Sequence, residues 1–373
     1  VEGGMPLQEA TARVRASTVF TTHTPVPAGH DRYEAGSVAH GLQTILDRVG
    51  LDAEQFADLG RERPGDRTEN FCMTVLALRH AAQVNGVAAL HGRVSREMWK
   101  GIYGAANAKD VPIGHVTNGV HPRTWIHPEA ESFWRRHIGL DLDEATPAVS
   151  RWAEAKDAPP EEFWQLRTSL RRQLVHFIRE RSIHASQRRG DGAEDIGAAV
   201  SIFRDDALTI GFARRFATYK RAPLIFRDMK RLRNLLADDE RPVQIVFAGK
   251  AHPRDKGGQD FARQIFQMTQ AEGLRGKVVL IEEYDMRVGR ALVSGCDVWL
   301  NNPIRPYEAS GTSGMKPPMH GGINCSILDG WWPEGYDGKN GWAIGDESEN
   351  ETDPAKRDAR DAESLYDLLE YEI

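Results

Sequence analysis

From about residue 205 the chain alternates between two textures. Short apolar runs rich in Val, Ile and Leu occur at ALTIGFA (207–213), VQIVFAG (243–249), KVVLI (277–281), DVWLN (297–301) and NCSIL (324–328). Between them lie helical patterns, APLIFRDMKRLRNLLA, QDFARQIFQMTQA and MRVGRALVS, and a short one near GMKPPMHGG. Nearly all-apolar strands alternating with helices predict a parallel sheet covered on both faces. Right-handed crossovers then give an α/β, doubly wound, Rossmann-like domain, in which ligands bind beyond the carboxyl ends of the strands. Chemistry is therefore expected in the segments that directly follow the strands.

The rest of the chain is mostly helical in pattern. In 141–206, Pro159 and Pro160 followed by Glu161 and Glu162 mark a helix start. Phe163, Leu166, Leu170, Leu174, Phe177 and Ile178 then step by three or four, which predicts one buried face. QRRGDGAEDIG (187–197) reads as a loop. In residues 1 to about 112, FCMTVLALRHAAQVNGVAALH (71–91) is the clearest helical pattern. THTPVPAGHD (22–31) is expected to be a loop, because Pro25 and Pro27 each lack a backbone donor.

Composition narrows the function. A chain of 373 residues has room for about two domains. Lys and Arg number 48 against 54 Asp and Glu, a net charge of −6, which disfavours a general nucleic-acid binder. No apolar run approaches the ~18 residues of a membrane helix. Three widely spaced cysteines (Cys72, Cys296, Cys325) argue against a disulfide framework and a cysteine-based zinc site, so no metal is expected and a reducing cytoplasm is. VEGGMPLQEA shows no signal-peptide pattern, and its initial Val is what a processed chain or a fragment would show.

Five clusters carry candidate chemistry. After the 207–213 run come Arg214, Arg215, Tyr219, Lys220 and Arg221, four cations at a predicted strand end. In an acidic chain they suggest an anionic ligand, most simply phosphate; the alternative is a solvated turn. Glu308-Ala-Ser-Gly311-Thr-Ser-Gly314-Met-Lys316 follows the 297–301 run and precedes the short helical pattern. Glycines let the backbone approach a ligand, and amides at a helix start hold anions. The spacing is not that of a Walker A loop. A lysine beside a phosphate cradle is also how pyridoxal phosphate is held as an imine, whereas a tight strand–helix turn is the alternative. TNGVHPRTW (117–125) offers Asn118, whose amide both donates to and accepts from a sugar hydroxyl, or else a simple turn at Asn-Gly, with Pro122 ending any helix before it. His23, in Thr22-His23-Thr24, and Glu282-Glu283-Tyr284 after the 277–281 run are candidates of the same standing, with packing as the alternative for each.

Taken together these segments resemble the α-glucan phosphorylases: glycogen, starch and maltodextrin phosphorylases. EASGTSGMK is similar to the family's pyridoxal-phosphate lysine motif. FTTHTPVPAGHDRY, VNGVAALH, TNGVHPRTW, GFARRFATYKR, VFAGKAHP and DVWLNNP match in the family's order. Several of these are specific to the shorter, bacterial-type branch, and the resemblance covers nearly all of 15–345.

The resemblance implies a GT-B fold, with residues 1–115 forming the end of a first domain and 116–373 a second, cofactor-binding domain with a helical insertion at about 141–206. It implies phosphorolysis of α-1,4-glucan ends by inorganic phosphate to α-glucose 1-phosphate, with configuration retained and the 5′-phosphate of pyridoxal phosphate as proton relay. Lys316 would carry that cofactor as a Schiff base. Gly311, Thr312, Ser313 and Arg214 would hold its phosphate, the backbone amide of Ser313 being the expected donor. Trp125 and Tyr284 would line its ring. Arg215 and Lys220 would clamp inorganic phosphate. The backbone of His23, with Asn118, Glu308 and Ser310, would grip the glucosyl hydroxyls. Asp285, in a segment that departs from the animal-type pattern, is given no role.

The family is considerably longer, so the chain is expected to be a piece lacking most of the first domain, including that domain's Gly-rich phosphate-facing loop. Alone it is expected to bind the cofactor weakly or not at all and to lack turnover. A homodimer is possible for the full-length enzyme. Two rivals remain at this point: a nucleotide-sugar transferase of GT-B type, similar to glycogen synthase, and a non-catalytic glucan-binding remnant.

Overall fold

Six parallel strands build the larger sheet: Leu208–Ala213, Val243–Ala248, Val278–Ile281, Val298–Asn301, Ile323–Ile327 and Gly341–Ile344. The computed structural model describes residues 4–142, 149–348 and 351–373. Within it the chain divides into two units, the first made of residues up to Asn118 with Arg305–Gly311 and Asp329–Glu334, the second of the remainder.

In the second unit the strands lie in the order 341–344, 323–327, 298–301, 208–213, 243–248, 278–281. The chain lays three strands outward from 208–213. It then crosses back, pairs 298–301 with the free side of 208–213 (Ile210 opposite Val298), and continues in the other direction. That is the doubly wound Rossmann order, and its switch point lies between 208–213 and 298–301.

Alternation along the strands explains why both faces are dry. Ile210, Phe212, Ile245, Phe247 and Leu300 enter one core, packed against Leu232, Ile265 and Leu365 of covering helices. Ala213, Val246, Ala248 and Trp299 enter the other, against Leu174, Ile178, Val288 and Leu292. The helix Pro160–Arg189 supplies Leu174 and Ile178 from the expected buried stripe. It packs closely on Met286–Gly295, where a Cβ on Gly295 would stand 2.3 Å from that of Leu174.

The first unit holds a three-stranded parallel sheet in the order Val19–Thr21, Gln83–Gly86, Ile113–His115. Its core includes Val75, Leu78, Val84, Trp99 and Ile113.

The five expected strands are present to within a residue or two at each end. Three expectations fail. The 71–91 segment is not one helix: it contains the helix Met73–Arg79, the central strand 83–86 and the start of Ala89–Trp99. Pairing on both sides of 83–86 overrides the helical propensity of its Ala-rich surroundings. Gly86 is needed there, because a Cβ would stand 2.8 Å from the amide nitrogen of Gly92. The loop read at 187–197 shrinks to three residues, since Pro160–Arg189 runs on to a left-handed Gly190 and Ala193–Ser201 begins at once. As expected, no helix runs into Pro122; the proline itself opens a helical turn, Pro122–Trp125, where its missing donor costs nothing. The helix expected near 314–322 is two 3₁₀ turns, Thr312–Met315 and Pro317–His320. No described helix is long and apolar enough to cross a membrane.

Candidate functional site

The two strands at the switch point end in the two richest clusters. The backbone of Arg214 continues the ladder, its amide donating to the Ala248 carbonyl at 3.1 Å. Its own carbonyl lies 2.1 Å from where a Cβ on Gly249 would stand, so the neighbouring strand must end in glycine. Arg214 and Lys220 are buried, and Arg215 is exposed. Lys220 places its Nζ 4.8 Å from the centre of the Tyr219 ring. The fourth cation serves the fold. Arg221, in the left-handed region at φ +47, donates to the carbonyls of Asn302 and Pro303 at 3.0 and 2.8 Å. It also pairs with Asp358 and Asp361 of the helix Pro354–Tyr371, each at 2.8 Å.

Lys316 sits between the two 3₁₀ turns, with its Nζ 3.7 Å from the centre of the Trp125 ring. Among the described residues no carboxylate pairs with it. Burial, and then the nearby charge of Arg214, hold its amine below the ordinary lysine value. A Cβ on Gly289 would lie 3.0 Å from Tyr284 Oη and 3.6 Å from the Trp125 ring, so the two aromatics converge over one glycine. Burial, with a contribution from Asp285, raises the Tyr284 hydroxyl.

Beneath the turn lies a network of side chains that sequence reasoning missed. Trp299 Nε1 donates to Ser313 Oγ, and Ser313 Oγ donates to Asn301 Oδ1, both at 3.3 Å. Asn301 Nδ2 donates to Asn324 Oδ1 at 2.9 Å. Gly314 fits over these amides because a Cβ would stand 2.5 Å from Asn324 Oδ1. His320, closing the second turn, accepts from the His127 amide at 3.0 Å, and burial pushes its ring down to about 3, so it stays neutral. Polar residues at strand ends inside DVWLNNP and NCSIL were the available signal.

Asp285, given no role from sequence, has a structural one. It caps the helix Met286–Gly295 through the Val288 amide at 2.8 Å and pairs with Arg181 at 2.9 Å. Glu282 pairs with Arg188 and Arg189.

In the first unit, His23 and Asn118 follow the first and third strands of the small sheet, at its carboxyl end. His23 is exposed, and Thr22 before it donates its amide to the Asn85 carbonyl at 3.0 Å. Asn118 is half-buried and bonds through its amide to the Val87 carbonyl at 3.1 Å. Glu308 and Ser310 are buried in the loop 305–311, where Gly311 adopts φ +75. Ser310 Oγ is buried with no hydrogen-bond partner among the described residues. The Glu308 amide donates to Asp329 Oδ2 at 2.9 Å; Asp329 is another residue that sequence reasoning missed.

The second unit thus offers a lysine whose amine is held below its ordinary value, two aromatic faces and a small-residue turn carrying Thr312 and Ser313, with buried Arg214 close by. This donor set fits an aldehyde on a flat aromatic ring that also carries an anionic group. The fold is α/β, of the GT-B type, with a doubly wound sheet whose switch point lies between 208–213 and 298–301.

The chain belongs to the carbohydrate phosphorylase family, whose family model matches residues 2–334. It is 44% identical over 374 residues to the maltodextrin phosphorylase of Thermococcus litoralis, covering 100% of this chain and 43% of that protein. It is 43% identical to the glycogen phosphorylase of Mycobacterium tuberculosis, covering 99% of this chain and 42% of that one. With the glycogen phosphorylase of Aquifex aeolicus the identity is 40%, over 99% of this chain and 52% of that one. The chain spans about half the length of the curated relatives it matches.

Proposed function

We propose that this chain carries the cofactor and phosphate sites of an α-1,4-glucan phosphorylase, which releases α-glucose 1-phosphate from glucan ends with inorganic phosphate and retention of configuration. The observation that carries the reading is the Lys316 amine, held 3.7 Å over Trp125 with no carboxylate partner among the described residues. A nucleotide-sugar transferase has no use for such an amine.

On this reading the residues divide the work by charge and shape. Lys316, its amine held below the ordinary lysine value by burial and Arg214, attaches the aldehyde of pyridoxal phosphate. Trp125 and Tyr284 flank the ring. Arg214 and the backbone amides of Gly311, Thr312 and Ser313 take its phosphate. Ser313 contributes its amide rather than its hydroxyl, which is engaged by Trp299 and Asn301. Arg215 and Lys220 offset the repulsion that a second, inorganic phosphate would meet. When bound, the cofactor supplies a phosphate group able to exchange a proton with inorganic phosphate. Glu308, Ser310, Asn118 and the backbone of His23 grip glucosyl hydroxyls. A cytoplasmic location and a homodimer accompany the reading on family grounds.

The test is to incubate the purified chain with pyridoxal phosphate, reduce with borohydride and map the adduct. The expected result is labelling that is weak in the chain alone but confined to Lys316, and lost in Lys316→Met. Labelling spread evenly over surface lysines sinks the cofactor assignment. Maltodextrin and phosphate added to the loaded chain, alone and with the amino-terminal part of a relative, then report whether glucose 1-phosphate forms.

A further inference from the structure

The loop that carries Glu308 and Ser310 has no regular secondary structure between the Val298–Asn301 strand and the Thr312–Met315 turn. Something outside it must fix its backbone, and three contacts from one short segment do so. Asp329 Oδ2 accepts the Glu308 amide at 2.9 Å. The Trp331 amide donates to the Ser310 carbonyl at 2.8 Å. Between them Gly330, at φ +61, lies so close that a Cβ would stand 2.3 Å from the Ser310 carbonyl oxygen. The second carboxylate oxygen of Asp329 accepts the Gly330 amide at 2.7 Å, which fixes the carboxylate itself.

The geometry points to Asp329 as the positioning residue of the 308–311 loop: its two oxygens tie Glu308 to Gly330 and so set where the Glu308 and Ser310 side chains stand. The tie itself stands apart from the phosphorylase reading, on which only the identity of what the loop grips, a glucosyl group, rests. Two facts make the placement consequential. Asp329 is 3% exposed, so no water competes for its oxygens. The charges facing it are buried Glu308 and half-buried Arg305; burial and Glu308 push the Asp329 carboxyl up to about 7, against the backbone bonds and Arg305. A carboxyl that titrates there links the loop's grip to pH. Asparagine cannot replace it, because one of its two ends is an NH₂ that would face a backbone donor.

The test compares wild type, Asp329→Asn and Glu308→Gln as full chains. Hydrogen exchange is followed at 305–312 and 328–332, and α-glucose 1-phosphate affinity by tryptophan fluorescence from about pH 6 to about pH 8. Asp329→Asn is expected to lose protection at the Glu308 and Gly330 amides while 298–301 and 323–327 keep theirs. It is expected to bind the sugar phosphate about tenfold more weakly, the scale of one lost buried hydrogen bond, and to lose the wild-type pH dependence. Glu308→Gln is expected to lose affinity with the exchange pattern intact. Unchanged exchange in Asp329→Asn overturns the proposal. The expected exchange pattern without sugar-phosphate binding in wild type supports the tie and sinks the phosphorylase reading instead. If Asp329→Asn does not fold, wild-type protection at Glu308, corrected for intrinsic rates, decides: a change across the titration of Asp329 supports the tie, and none overturns it.

Discussion

Arg221 is buried and Lys316 half-buried near the switch point of one sheet, and their surroundings are opposite. Arg221 meets two carboxylates and two carbonyls and joins the strand-end loop to the helix Pro354–Tyr371. Lys316 meets an aromatic face and the like charge of Arg214. The difference separates a cation that builds the fold from one that no carboxylate among the described residues holds. Burial alone does not mark a functional residue; burial without a compensating partner does.

The comparison is broken most directly at Arg221. Arg221→Ala leaves Asp361, itself 4% exposed, with only the neighbouring Arg360 at 3.2 Å and removes a partner of Asp358, and is expected to cost about 3 kcal/mol in urea unfolding. A loss below about 1 kcal/mol would show that the pair contributes little. A second large effect lies in the pH profile. Asp329 is raised from an ordinary carboxyl value to about 7, so the folded state holds a proton that the unfolded chain has already lost. Its contribution therefore declines as pH rises from about 4 to about 7, by up to about 1.4 kcal/mol per unit, and Asp329→Asn should flatten that slope in unfolding curves taken across the range. Gly314→Ala forces a methyl against Asn324 and is expected to cost about 1–3 kcal/mol and to weaken cofactor capture, read by melting and by borohydride trapping. The smallest stability change belongs to Lys316→Met. Removing a desolvated charge without a carboxylate partner should alter stability by less than about 1 kcal/mol while abolishing covalent capture. A loss matching that of Arg221→Ala would erase the distinction between the two cations.

Much of the second unit was legible in the sequence because its strands are covered on both faces and therefore read as apolar runs. The strand Gly341–Ile344 was not, being a short edge strand opened by glycine. Nor was Gln83–Gly86, whose polar ends sit in an Ala-rich window and whose strand state depends on neighbours at 19–21 and 113–115. The same divide runs through the candidate site. Lys316, Glu308 and the strand-end cations stand out as residue types in a pattern. Asn301, Asn324, Asp329 and His320 do not, because their importance lies in which backbone or side-chain atom they meet, and that is fixed only by folding.

The reversal in strand order has a further consequence, one of time. Thr209 and Asp297, which bond across the switch point, are 88 residues apart in the chain. Two intervening strands and their crossovers must be synthesised and laid down before the edges that flank the crevice can meet, and closing so long a segment is slow. Capture of a ligand by Lys316 would therefore register the last stage of assembly, and a chain that misfolds anywhere between those two strands would remain colourless.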